Sequence, residues 1–362
     1  MLDNINCLLP LTEDDVPRIR DIYIPLSKQG MDLGSAVAFT GAPMARRLFD
    51  PASGAAANRL WDLAQLVDKQ IARKVTRFRV ETPEVSYRAQ VGQNAHGSDL
   101  QLRVLPKDVP LLSELRMPEA WRRLLLDETL FSGGLVLFAA PHGQGKTTTA
   151  SSMVASRLSM FGGMANTFED PAELPLQGVW GQGGLCIQRQ LDRAGDGQGA
   201  TAAKEAALRQ YPAVGSCTML FIGEITDGPS AVEAIKAAAN GHLVIATIHG
   251  RGIEAALRRM VLLACGELGN MSEASVRSML AEVLRGVIHQ RLVWTLGGTG
   301  WSAAEVEGDV AWASDASRTL ATVLRDGCTE QLRAELAAQG SMLAKDPRAY
   351  LDLHGVRSAG LS

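Results

Sequence analysis

The chain has 362 residues, 46% of them hydrophobic and 21% charged, with a formal net charge of −3. That length exceeds what one hydrophobic core usually organises, so two domains, or one domain with a large extension, are expected. The composition speaks against a disordered or membrane-embedded chain, and the lack of a basic excess speaks against non-specific nucleic-acid binding.

Residues 1–15 contain no Lys or Arg and carry Asp3, Glu13, Asp14 and Asp15, the reverse of a signal peptide. From there to residue 110 the pattern combines a helix over 55–73, with Leu60, Leu63 and Leu66 at helical spacing, and alternating strand-like runs at 75–80, 85–91 and 100–105. With Gly92 to Gly97 as a hairpin turn, this reads as a small α+β domain on an antiparallel sheet. Residues 111–120, beginning just after Pro106 and Pro110, read as an interdomain linker, and residues 121–362 as a second domain.

In that second domain an apolar run at 135–140 leads into a glycine-rich turn and a helix from Lys146 to about Met160. Further buried strands are expected at 164–168, 219–222 and 243–248, which gives an α/β domain with a largely parallel sheet. Beyond Ser272 the chain reads as mostly helical. No apolar run reaches membrane-spanning length. The five cysteines, Cys7, Cys186, Cys217, Cys265 and Cys328, lie far apart without a CxxC pair and read as reduced packing residues.

The turn is Ala140-Pro-His-Gly-Gln-Gly-Lys-Thr147, a match to the P-loop pattern G-x-x-x-x-G-K-[ST] except that Ala140 stands at its first position. Backbone N–H groups and the positive end of a helix dipole converge there on one point suited to a polyphosphate. Gly143, Gln144, Gly145, Lys146, Thr147 and Thr148 are the candidate nucleotide ligands. Lys146 is placed for the β and γ phosphates of ATP and the Thr147 hydroxyl for Mg²⁺.

Three acidic or histidine-bearing motifs follow. Glu224 ends the run 219–224, on the side of the sheet where parallel strands present ligands. It could activate the attacking water or hold Mg²⁺, or serve only as a helix cap or solvated charge. Thr167-Phe-Glu-Asp-Pro-Ala-Glu173 gathers Glu169, Asp170 and Glu173, carboxylates that would repel one another without a cation beside them. His242 and His249 flank one strand seven residues apart, on opposite faces by strand alternation, which speaks against a shared metal. His249 could sense a γ-phosphate; His242 could equally cap or pack.

The ordered set formed by the Lys146 loop, Thr167-Phe-Glu-Asp-Pro-Ala-Glu173, Phe221-Ile-Gly-Glu-Ile-Thr-Asp227 and Gly241-His-Leu-Val…Thr-Ile-His249 resembles the secretion-superfamily ATPases. Those proteins carry a Walker A loop, an Asp box, a Walker B strand and a His box in that order. The chain looks most like the pilus-retraction motors and the related ATPase of type IVB secretion and conjugation systems. Tyr87-Arg88 through Arg103-Val-Leu-Pro106 resembles the end of the family's PAS-like N-terminal domain, and Leu115-Arg-Met-Pro118 its linker. Residues 289–293 and 340–355 resemble its C-terminal helices.

The resemblance implies a RecA-like P-loop ATPase domain behind a smaller PAS-like α+β domain. It also implies ATP and Mg²⁺ as cofactors, Glu224 as catalytic carboxylate and metal ligand with Thr147, Glu169 as the Asp-box acid, and His249 and His242 as the His-box pair. Arg88 and Arg103 match arginines that reach the nucleotide within or across a ring interface, although arginines on alternating strands are commonly just solvated. A homo-oligomer, hexameric in the family, is implied, cytoplasmic and held to an inner-membrane platform through partners. The family's intermediate arginine falls at His96, its Gly-Glu-Ile-Arg-Asp arginine is Thr226 here, and its Arg-x-Asp-Pro run appears as Arg209-Gln-Tyr-Pro212.

Two other functions fit parts of the pattern. A nucleotide-binding scaffold with weak turnover would explain His96, Tyr211 and Thr226. A RecA-like nucleic-acid motor shares the loop chemistry, but the charge balance and the lack of interleaved aromatic and basic residues disfavour it.

Overall fold

The computed structural model describes residues 19–27, 30–39, 45–47, 67, 76–82, 85–95, 97–170, 172–190, 211, 217–269, 271–293, 296–297, 300–301, 305–314 and 319–356. The helix expected over 55–73 lies outside these residues except for Val67, and so does His96. The chain divides into two compact units, Met1–Asp108 and Val109–Ser362.

The first unit is built on strands β1 (Asp21–Ser27), β2 (Gly30–Met31), β3 (Val37–Phe39), β4 (Ala45–Arg47), β5 (Arg77–Glu81), β6 (Ser86–Asn94) and β7 (Gly97–Leu105). They form one antiparallel sheet in the order β4-β3-β1-β7-β6-β5, with β2 paired to β1. Period-two alternation sorts the faces. Ile22, Ile24, Phe78, Val80, Ala89, Leu100 and Leu102 are buried in one core. The β6–β7 turn is tighter than expected, since Asn94 already pairs with Gly97.

The second unit holds β8 (Gly134–Ala140), β9 (Gly163–Glu169), β10 (Gly178–Trp180), β11 (Gly184–Gln190), β12 (Thr218–Ile225), β13 (Leu243–His249) and β14 (Leu284–Val293). A two-residue hairpin, β15 (Leu296–Gly297) and β16 (Gly300–Trp301), precedes β17 (Glu305–Trp312). The main sheet runs β10-β11-β9-β12-β13-β8-β14-β17. Its inner strands are parallel and its two outermost strands antiparallel. Along β8, alternate residues feed two cores: Leu135 and Leu137 face one, Val136 and Phe138 the other. A sheet buried on both sides needs such continuous apolar strands.

Helices α1 (Glu119–Leu125) and α2 (Lys146–Phe161) contribute to the second of those cores. Helices α3 (Gly228–Ala239), α4 (Ile253–Leu268), α5 (Glu273–Val283) and α6 (Thr319–Asp326) contribute to the first, and α7 (Thr329–Lys345) and α8 (Pro347–Leu353) follow. Asp227, Ser272 and Asp346 cap α3, α5 and α8 by accepting from Ser230, Ser275 and Ala349 N–H groups.

Residues 111–120 pack on this unit: Leu112 and Met117 are buried, and the Leu112 N–H donates to Ser156 Oγ at 2.8 Å. The region after Ser272 requires a correction. Residues 289–293, which resemble a helical segment of the family, are the end of strand β14, and β17 pairs along its length. The run around Val287 and Ile288 is buried between β8 and β17, where extended backbone satisfies its hydrogen bonds on both sides. Residues 340–355 are helical, in α7 and α8. Among the described residues no helix is long and apolar enough to cross a membrane.

Candidate functional site: a phosphate loop and its carboxylates

Strand β8 ends at Ala140, fully buried and paired in register with His249 at the end of β13. The chain then turns through Gly143 and Gly145, at φ 72° and 75°, a left-handed conformation that costs other residues energy. Gly145 caps α2 without any side-chain hydrogen bond. The first-turn N–H groups and the helix dipole therefore remain available to an anion.

Lys146 is nearly buried. Its Nζ donates to the Pro141 carbonyl at 3.1 Å and lies 3.4 Å from His249 Nδ1. Burial lowers its pKa, with Glu224 and Glu173 opposing. Thr147 and Thr148 are half-buried in the same turn, and the Thr148 carbonyl accepts from Ser152 Oγ.

Glu224 reaches this point because β12 and β13 lose register between Ile222 and Ile225, an irregularity of the kind that re-aims a side chain. Its Oε1 lies 2.5 Å from His249 Nε2. The pKa of His249 is lowered by burial first, then by Lys146 and His142, with Glu224 opposing. The His142 ring, in the loop itself, lies against the His249 ring with centroids 3.7 Å apart. No sequence pattern marked His142 as part of the site.

Glu169, at the end of β9, is buried. Its Oε1 accepts from Thr167 Oγ1 at 3.0 Å and Gln188 Nε2 at 2.8 Å, while Oε2 has no hydrogen-bond partner among the described residues. Burial pushes its carboxyl up to about 7 despite those hydrogen bonds, so near neutrality it holds a proton for much of the time. Gln188 also donates to the Leu174 carbonyl and accepts from the Leu176 N–H, tying Glu169 to the loop that follows it.

His242 is not part of this cluster. It precedes β13 at the opposite end, where its Nδ1 lies 2.8 Å from Thr218 Oγ1 and its ring lies against Tyr211. The length of the strand separates it from His249 by roughly 20 Å. Tyr211 belongs to the same remote end, donating to the Met219 carbonyl. Thr226 directly precedes the capping Asp227.

Arg88 and Arg103 lie in the first unit, directly paired across β6 and β7 and therefore on one face, with Arg79 and Asp21 extending the row on β5 and β1. Arg103 Nε donates to Asp21 Oδ1 at 2.8 Å.

A buried β-strand, a left-handed glycine loop, an uncapped helix carrying a lysine, and a carboxylate at the end of the second neighbouring strand define a P-loop nucleotide-binding α/β protein. The family model for the Type II/IV secretion system protein matches residues 37–334, and the chain belongs to this family.

Among its relatives, the Type IV pilus retractation ATPase PilT of Pseudomonas aeruginosa is 31% identical over 232 residues, 64% of this chain and 62% of that one. The Type II secretion system protein E of the same organism is 29% identical over 287 residues, 78% of this chain and 46% of its own. The chain thus spans under two thirds of the length of these relatives.

Two solved structures share the fold. The pilus retraction motor PilT, solved with bound ADP, superimposes with a TM-score of 0.62 at 23% identity, over 89% of this chain and 87% of that one. The ATPase DotB of Yersinia pseudotuberculosis gives 0.65 at 19% identity, over 95% and 92%.

Proposed function

We propose that this chain is an ATP-hydrolysing motor subunit that works in a ring, a hexamer on the family's pattern. It would power a type IV secretion, conjugation or type IV pilus machine. The observation that carries the reading is the contact sequence Lys146–His249–Glu224 beside the uncapped start of α2. Those contacts support the reading because a cation, an imidazole and a carboxylate in one cluster are the groups that a γ-phosphate and its attacking water would need.

ATP is held by residues 143–148, with Lys146 on its phosphates. Among the described residues no group of three His, Cys, Asp or Glu side chains could hold a metal by itself. Mg²⁺ keeps water and phosphate oxygens as most of its ligands. Thr147 would supply its hydroxyl and Glu224 its carboxylate, and the ion would offset charge on the phosphates. Glu224 orients and deprotonates the water, while Glu169, its carboxyl pushed up to about 7, exchanges a proton near neutrality. Arg88 and Arg103 act as fingers on the nucleotide, and His242 supports the far end of β13.

The subunit would sit on the cytoplasmic side, docked to an inner-membrane platform. The relatives' names support this setting, since they belong to pilus and secretion machines.

Phosphate release by the purified oligomer tests the reading. Lys146→Ala and Glu224→Gln should each abolish it, and full turnover in both variants would refute it. ATP binding with no turnover in the native chain would favour a nucleotide-dependent scaffold, the reading that Thr226 and Tyr211 in place of the family's residues support.

A further inference from the structure

Strand β14 runs beyond the end of its neighbour β8: His289 is the last residue paired with β8, at Ala139, and Gln290 to Val293 continue alongside the phosphate loop. Gln290 is fully buried, and its Nε2 donates to the Gln144 carbonyl at 2.6 Å. Two residues on, the Leu292 N–H donates to Gln144 Oε1 at 2.8 Å. The loop residue Gln144 is thus held by both its main chain and its side chain, from one strand. Gly145 lies under the same clip, where a Cβ would come within 3.3 Å of Gln290 Nε2 and 3.5 Å of Leu292 Cδ1. Gln290 Oε1, buried, has no hydrogen-bond partner among the described residues, so this amide is fixed through its Nε2 alone.

The clip leads somewhere. In the antiparallel pair of β14 with β17, Leu292 faces Val306 and Gln290 faces Gly308, and an Arg291–Glu307 ion pair at 3.0 Å crosses between them. β17 is the last strand of the sheet. Its Val306 turns its N–H outward to the carbonyl of Arg116 at 2.7 Å, in the segment that follows the boundary between the two units.

We propose that Gln290 is a positioning residue that, with Leu292, clips the phosphate loop to the β14–β17 ribbon, and that the ribbon couples the state of the loop to the Val306–Arg116 hydrogen bond. The proposal rests on the reading of residues 141–147 as a phosphate loop. It deepens that reading by naming the route by which occupancy of the loop reaches the segment that opens the second unit. Packed, hydrogen-bonded elements carry such coupling when both ends bias the same arrangement, and the coupling is reciprocal.

Hydrogen–deuterium exchange on the full chain tests it without nucleotide. Gln290→Met, close in size but without the donor, should speed exchange of the loop amides and of Val306 about tenfold, the size expected for one lost hydrogen bond. Gln144→Ala, which removes the acceptor for Leu292, should act on Val306 in the same direction. Val306→Pro deletes the N–H given to Arg116 at a terminal strand, where proline is tolerated, and should loosen the loop in return.

The amides of Gly286 to Ile288 in the middle of β14 serve as reference: a glutamine that only filled space would loosen these as much as Val306. Val306 unchanged in both glutamine variants, or a loop unchanged in Val306→Pro with the fold intact, overturns the proposal. ADP added to the native chain then separates the two claims. Loss of ADP protection everywhere counts against the nucleotide reading, whereas reciprocal loosening in its absence still supports the clip.

Discussion

Glu224 Oε1 and His249 Nε2 lie 2.5 Å apart while the other nitrogen of the same ring faces Lys146 Nζ at 3.4 Å. Only one neutral tautomer serves both contacts, with Nδ1 accepting from the lysine and Nε2–H donating to the carboxylate; this assignment follows from the hydrogen-bond network. Protonation of Nδ1 would leave two cations face to face. Burial and Lys146 already lower the pKa of His249 below 6.5, which keeps the ring neutral at physiological pH.

Turnover should therefore fall on an acid limb below pH 6.5, as His249 takes up its proton. His249→Asn should slow phosphate release roughly 100-fold and flatten that limb. A pH profile of both proteins checks this, and an unchanged acid limb in the variant would place the titration on another group.

Glu169 predicts a stability effect of opposite sense to a paired carboxylate. Its folded value is about 7 against an ordinary 4.5, so the folded state holds the proton more tightly. Its contribution is complete below pH 4.5 and is lost as pH rises through about 7. Glu169→Gln removes that loss and should raise stability at pH 8 by about 3 kcal/mol, with little difference at pH 4.5. Urea unfolding at the two pH values measures it.

Gly223 lies beside that carboxyl group, and a Cβ there would come within 2.9 Å of Glu169 Cγ. Gly223→Ala should cost about 1–3 kcal/mol through overpacking. It should also displace Glu169 from Gln188, seen as a loss of the pH-dependent stability just described. Thermal denaturation across pH reads both effects.

Arg103 is more than half exposed and bonded to Asp21. As a surface ion pair it contributes under about 1 kcal/mol, so Arg103→Ala should leave the melting temperature nearly unchanged. As a finger on the nucleotide it should lower turnover by roughly 10³-fold. Melting and phosphate release measured on the same preparation separate the two roles.

The central strands were legible because β8, β12 and β13 are apolar runs bounded by glycine or polar residues, and because a P-loop carries its chemistry in consecutive residues. Glu224 was legible as a carboxylate ending a buried strand, though not the lost register that turns it towards His249. β14 was not, since α5 passes at Val283 into the strand at Leu284 with no Gly or Pro between them, and an apolar run without punctuation has no readable period. Gln188, Gln290 and His142 gave no signal either: each is one polar residue whose partner lies at the end of another strand or in the loop beyond it. His242 misled because a strand seven residues long puts its flanking residues at opposite ends of the sheet, a distance that a motif written as a string does not display.

That junction of α5 and β14 also fixes chain length. Helix α5 ends at Val283 and β14 begins at Leu284, so no loop separates them, and the register irregularity between Leu284 and Gly286 already takes up one residue. One extra residue would either rotate the helix by about 100° against α3 and α6 or turn every side chain of β14 to the opposite face. The second outcome would remove Gln290 from beneath the loop. Insertions and deletions that loops elsewhere accept should be absent between residues 280 and 292, and a scan of single-residue insertions would find this stretch among the least tolerant of the chain.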